Sequence, residues 1–62
     1  MNFNEAVNII RNYAVVELGV QNSKLPEVIE AIQDNFDDVR DDDIAVVVAY
    51  RAVMRDLGAL FG

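Results

Sequence analysis

The chain has 62 residues, a formal net charge of −6 at pH 7, and neither cysteine nor histidine. These totals predict one acidic domain without disulfides. They also exclude the residues that most often bind zinc, haem or iron–sulfur clusters, so we expect no metal and no cofactor. The negative charge disfavours direct contact with nucleic-acid phosphates and with anionic membranes.

The chain shows no sign of secretion or membrane insertion. Its first residues, MNFNEAVNII, lack the positively charged start and long apolar run of a secretory signal. The longest apolar stretch, IAVVVAY, has seven residues, whereas a membrane-spanning helix needs roughly 18. With the absence of cysteine, this predicts a cytoplasmic protein, in the host cytoplasm if the chain is viral.

The hydrophobic content is high for so short a chain. A domain of this size buries only about 60% of the surface that its unfolded form exposes, and small domains usually need a disulfide, a metal or a partner. With 53% hydrophobic residues, the chain carries more apolar surface than one small core easily covers. We therefore expect it to bind itself as a homo-oligomer, most simply a dimer.

The first predicted helix covers about residues 2–18. Asn2 and Glu5 have the spacing of a capping box, and Gly19 stands where a residue of left-handed conformation ends a helix. Apolar residues recur along this segment at helical spacing: Phe3, Ala6, Val7, Ile9, Ile10, Tyr13, Ala14, Val16 and Leu18.

The second predicted helix covers about residues 26–37. Pro26 suits the first turn, where its missing N–H is not needed, and Ser23 or Leu25 would precede it as the cap. The apolar residues form a one-sided stripe: Leu25, Val28, Ile29, Ile32 and Phe36.

The third predicted helix covers about residues 42–60 and begins after Asp41, Asp42 or Asp43, all competent caps. Its buried stripe comprises Val46, Tyr50, Val53, Leu57 and Leu60, widened by Met54 and Phe61. The alternative for IAVVVAY is a buried strand, because β-branched residues dominate it. The alanines of this segment and the unbroken run into RAVMRDL favour a helix. The pattern predicts an all-α fold, a three-helix unit assembled as a homo-oligomeric helical bundle.

A second set of side chains marks the opposite side of the third helix. Ile44 and Val48 lie there, in line with Arg51 and Arg55, so the first half of this helix is apolar nearly all round and predicts neighbours on several sides. Glu17 falls within the apolar face of the first helix. It either reaches water near the helix end or pairs with one of these arginines, within the chain or across a dimer. These five residues are the predicted oligomer interface.

The stretch DNFDDVRDDD, residues 34–43, holds six of the eleven acidic residues. No register places a glycine at the sixth position, as a calcium loop of the EF-hand type requires. One interpretation is helix capping by the last three aspartates, with Arg40 partly offsetting the others and Val39 turned inward. The other is a docking patch for a basic protein surface, formed by Asp34, Asp37, Asp38, Asp41, Asp42 and Asp43.

The chain contains few of the residue types that enzymes use for catalysis. The chain has no histidine, cysteine or threonine and a single serine, and its three glycines form no phosphate-binding pattern. We therefore expect no enzyme, but a small acidic protein–protein interaction module, an accessory or regulatory protein of phage or bacterial type. The alternatives are a charge-mimic inhibitor that occupies a basic nucleic-acid-binding surface of its target, and a purely structural oligomer subunit.

Overall fold

The computed structural model describes residues 1–39 and 41–62, and within them the chain is helical, without a strand. The elements in chain order are α1 (Phe3–Asn12), a π-helical turn (Tyr13–Glu17), a 3-10 turn (Asn22–Lys24), α2 (Leu25–Phe36) and α3 (Asp43–Phe61). The predicted all-α class is confirmed, and IAVVVAY is helical rather than a strand. None of the described helices combines the length and the apolar character needed to cross a membrane.

The third helix is the central element. It has 19 residues and therefore measures about 28 Å, close to the 30 Å long axis of the molecule. Both α1 and α2 pack against it. The buried residues come from all three helices, the π-helical turn and the loop that follows it: Ala6, Ile10, Ala14, Val20, Val28, Ile32, Phe36, Val46, Ala49, Val53 and Leu57.

The start of α3 is set by Asp42. Its side chain accepts hydrogen bonds from the backbone N–H of Ile44 at 3.0 Å and of Ala45 at 3.1 Å, which satisfies two donors that have no partner inside the helix. Asp43 is the first helical residue and lies at the positive end of the helix dipole. Of the three predicted caps, the structure selects Asp42.

The buried stripe of α3 differs from the predicted one at its C-terminal end. Leu60, predicted to be buried, is 66% exposed, whereas Ala49 belongs to the core. The α2 side chains that line the groove beside Leu60 are the short Ala31 and the acidic Glu27, Glu30 and Asp34. Carboxylates stay in water, so no large apolar side chain of α2 covers Leu60.

The second half of the first helical segment is wider than an α-helix. The Leu18 N–H donates to the Tyr13 carbonyl at 3.0 Å, five residues back, instead of the four of an α-helix. Gly19 has φ +64°, the left-handed conformation that ends many helices. The Val20 N–H then donates to the Ala14 carbonyl at 2.9 Å, which closes the end.

This π turn corrects the predicted position of Glu17. In an uninterrupted α-helix Glu17 would fall on the buried face. The turn inserts one extra residue, which rotates everything after it back by about 100°. Glu17 is consequently exposed, and Leu18 and Val20 pack on the core in its place.

The start of α2 also differs from the prediction. Leu25 and Pro26 are its first two residues, and the preceding Lys24 makes no capping hydrogen bond through its side chain. The predicted cap at Ser23 or Leu25 is therefore wrong. The 3-10 turn that contains Ser23 leads directly into α2, and such turns commonly satisfy the first N–H groups of a helix.

Candidate interaction surfaces

The outer face of α3 is the side of the central helix that neither α1 nor α2 covers. We define it by Ile44, Val48, Arg51 and Arg55, which are spaced four, three and four residues apart. Ile44 is 81% exposed and Val48 is 65% exposed. Both arginines are exposed, and no described residue forms an ion pair with either.

The helical repeat explains this face. Val46, Val53 and Leu57 point into the core, and the four outer-face residues lie on the opposite side of the same helix at 100° per residue. Their alternating spacing of four and three residues is that of the contact seam in coiled coils. The sequence pattern thus identified an exposed seam, apolar in its first half and cationic in its second.

Glu17 is the fifth predicted interface residue. Among the described residues it forms no ion pair with Arg51 or Arg55. The one ion pair among the described residues joins Lys24 Nζ to Glu27 Oε1 at 3.6 Å. Glu17 reaches water in the π turn, as the first of its two interpretations expected. Its pairing with an arginine of a second copy stays a prediction.

The acidic run, residues 34–43, extends from the end of α2 through the segment between the helices to the start of α3. Asp34 lies on α2, Asp37 and Asp38 lie just after it, and all are exposed. Val39 is half-buried against the core, as predicted. Arg40, predicted to offset the neighbouring carboxylates, lies outside the described residues.

The last three aspartates surround the N-terminus of α3. Asp42 is occupied as its cap, while Asp41 and Asp43 are exposed on either side. Helix capping thus accounts for Asp42, and the positive end of the helix dipole favours Asp41 and Asp43. Across residues 1–39 and 41–62, no group of three acidic side chains converges on a point suited to a metal ion.

A groove that the sequence pattern did not indicate lies between α2 and α3. It has a volume of about 260 Å³ and is lined by Glu27, Glu30, Ala31, Asp34 and Leu60. Its three carboxylates are spaced three and four residues apart along α2, which places them in one row. That spacing was visible in the sequence, but the exposure of Leu60 was not. Asp34 therefore shares a surface with Glu27 and Glu30, which extends the acidic surface along α2.

Comparison of the chain with protein-family models, with curated proteins and with solved structures finds no match.

Proposed function

We propose that the chain is a non-enzymatic protein–protein interaction module that acts as a homo-oligomer. The observation that carries this proposal is the exposure of Ile44 and Val48 on the outer face of the central helix. Burying a side chain of this kind is worth about 1.5–3 kcal/mol. A second protein surface on the outer face of α3 would gain this free energy.

The size of the domain favours a second copy as that surface. A chain of 62 residues has a total stability of only about 3–9 kcal/mol on the usual per-residue scale. A self-complementary contact adds apolar burial without a second gene product, and two-fold dimers are the commonest oligomers of soluble proteins. Oligomerisation would supply the stabilisation that larger domains obtain from a larger core.

Light scattering on dilute protein should give a mass above the 6.9 kDa of one chain. The variant Val48→Asp should return the mass to that of the monomer, because a carboxylate in the contact would be buried without a partner. Val16→Asp is the matched control, since Val16 and Val48 are both 65% exposed. The control should keep the oligomeric mass.

Two results would contradict the proposal. One is a monomeric wild-type chain at micromolar concentration that still unfolds cooperatively. The other is an oligomer whose mass is the same in the Val48→Asp variant and in the wild type. The Val16→Asp control shows whether any loss of mass comes from a surface carboxylate as such.

A second candidate function is docking of the acidic run on a basic protein surface. It is supported by Asp37 and Asp38, which lie at the C-terminal end of α2, where the helix dipole is itself negative. No described cation pairs with either of them. A target whose basic surface binds nucleic acid would make the chain a charge-mimic inhibitor.

Salt and neutral substitution test this second candidate. We expect a partner captured from native extract at low salt to be lost in about 0.5 M salt, because charge attraction at a surface is screened within a few ångströms there. Replacing Asp37, Asp38, Asp41, Asp42 and Asp43 by asparagine should abolish capture while preserving the helix cap, since asparagine caps as well as aspartate.

Capture that survives both changes would contradict the docking patch. The partner would then bind another surface, and the charge of these aspartates would serve only solubility and helix capping. For either function we propose an accessory or regulatory protein of phage or bacterial type with a cytoplasmic location, and the absence of cysteine fits that location.

A further inference from the structure

We propose that two copies of this chain pair through the outer face of α3 in antiparallel orientation, around a two-fold axis beside Val48. This inference rests on the proposed self-association and specifies its geometry. It follows from the order of side chains along the face, from the position of the acidic residues, and from the small residues beside Val48.

The order of the side chains argues against a parallel pair. The seam is apolar at Ile44 and Val48 and cationic at Arg51 and Arg55. In a parallel coiled coil each seam residue faces its own copy, so both arginines would meet identical arginines. Juxtaposed like charges in an interface are strongly unfavourable. An antiparallel pair moves the arginines of the two chains to opposite ends of the contact.

In this antiparallel pair, the aspartates at the N-terminus of α3 supply the negative charge opposite the arginines of the other copy. With the two-fold axis at position 48, position 53 of one helix lies opposite Asp43, the first residue of the other helix, and Arg55 reaches the residues that precede that helix. Arg55 would then lie beside Asp41, Asp42 and Asp43 of the second copy. Their carboxylates outweigh the half positive charge of the helix end itself. The symmetry repeats this contact at the other end, so each dimer contains it twice.

Small residues allow the two helices to approach closely. Position 44 lies opposite position 52, so Ile44 of one copy meets Ala52 of the other, and Arg51 meets Ala45. Both alanines are only half-buried within one chain. A typical stable interface takes about 800 Å² from each partner, roughly a fifth of the 4235 Å² that one chain exposes. From Ile44 to Arg55 the outer face extends about 17 Å along α3, about half of the 30 Å length of the molecule, so side chains on both sides of the seam have to contribute to such a contact.

Engineered cysteines can test the orientation, because the chain has none of its own. Under mild oxidation, Val48→Cys should form disulfide-linked dimers, since the two thiols meet at the axis. Ile44→Cys alone should not, because its two copies would lie about 12 Å apart along the helix, beyond disulfide reach. An equal mixture of Ile44→Cys and Ala52→Cys should form mixed dimers. Ser23→Cys, exposed in the 3-10 turn, reports random collision.

A charge exchange tests the contact between Arg55 and the acidic end. Arg55→Asp should weaken dimerisation about tenfold, since two exposed ion pairs become repulsive. Adding Asp41→Arg to the same chain should restore affinity. Arg55 lies about 18 Å along the helix from Asp43, and Asp41 lies before Asp43, so restoration has to come from contact between copies. Light scattering over a dilution series measures both variants.

The outcomes separate this geometry from the proposed function. Linkage of Ile44→Cys to itself at the rate of Val48→Cys, in a dimeric protein, would show a parallel pair and overturn the antiparallel geometry alone. A dimer in which no outer-face cysteine links faster than Ser23→Cys would overturn this face as the contact. A monomeric wild-type chain would remove the proposed self-association and the geometry together.

Discussion

Replacing Phe36 by alanine is expected to lower the free energy of unfolding by about 3–5 kcal/mol, the usual cost of deleting a buried phenylalanine ring. Phe36 is completely buried at the end of α2. Its ring meets the ring of Phe3 edge to face, with centroids 5.4 Å apart and planes at 73°, an arrangement that adds about 0.5–1.5 kcal/mol. This one contact joins the start of α1 to the end of α2.

The expected loss is comparable to the whole stability of such a domain, about 3–9 kcal/mol, so the variant should be largely unfolded at 37 °C. Urea unfolding followed by circular dichroism, at one fixed protein concentration, measures the change. Phe61→Ala is the matched control, because Phe61 at the end of α3 is only partly buried. It should lose less than half as much. Equal losses in the two variants would show that the core is not centred on Phe36.

Deleting Val16 is expected to leave the fold intact and to change its stability by less than about 1 kcal/mol, because substitutions at exposed sites usually change it by no more than about 0.5 kcal/mol. Val16 lies in the π turn and is 65% exposed. Without it, the bond from Leu18 to Tyr13 would span four residues, as in an α-helix. The bond from Val20 to Ala14 would span five, as in the common glycine-ended helix terminus. Leu18 would keep its place on the core.

Deleting Asn8 is the control, since Asn8 is also exposed but belongs to the regular part of α1. This deletion rotates Phe3 and Ala6 by about 100° away from the core that Ile10 occupies. We expect a loss of more than about 3 kcal/mol, which circular dichroism and urea unfolding would record. If the two deletions were equally damaging, the extra residue in the π turn would be an essential part of the packing.

The start of α1 and the end of the first helical segment were predictable because each depends on residues within a few positions of it. Asn2 accepts from the Glu5 N–H at 2.8 Å, as the capping-box spacing predicted. Gly19 takes the left-handed conformation predicted for it. The predicted limits of the three helices agree with the observed ones to within one or two residues, apart from the π turn.

The inner and outer faces of α3 were predictable for a related reason. A helix turns by a constant angle per residue, so the apolar pattern alone separates Val53 from Val48. The first is completely buried and the second is 65% exposed. The prediction was wrong for Leu60, because its burial depends on which α2 side chains stand opposite. Those side chains are short or charged, and the sequence of α3 alone does not show that they lie opposite Leu60.

By itself, the sequence determined the helical class, the cap at Asn2, an aspartate cap for α3, the glycine at the end of the first helical segment, and the amphipathic division of α3. All of these follow from interactions within one or two turns of the chain. Only the tertiary structure decided that Glu17 and Leu60 are exposed and that an acidic groove lies between α2 and α3. Each of these depends on how one helix fits another. In this sequence Leu18 and Val20 reach the shared core because the turn accommodates one residue more than an α-helix would.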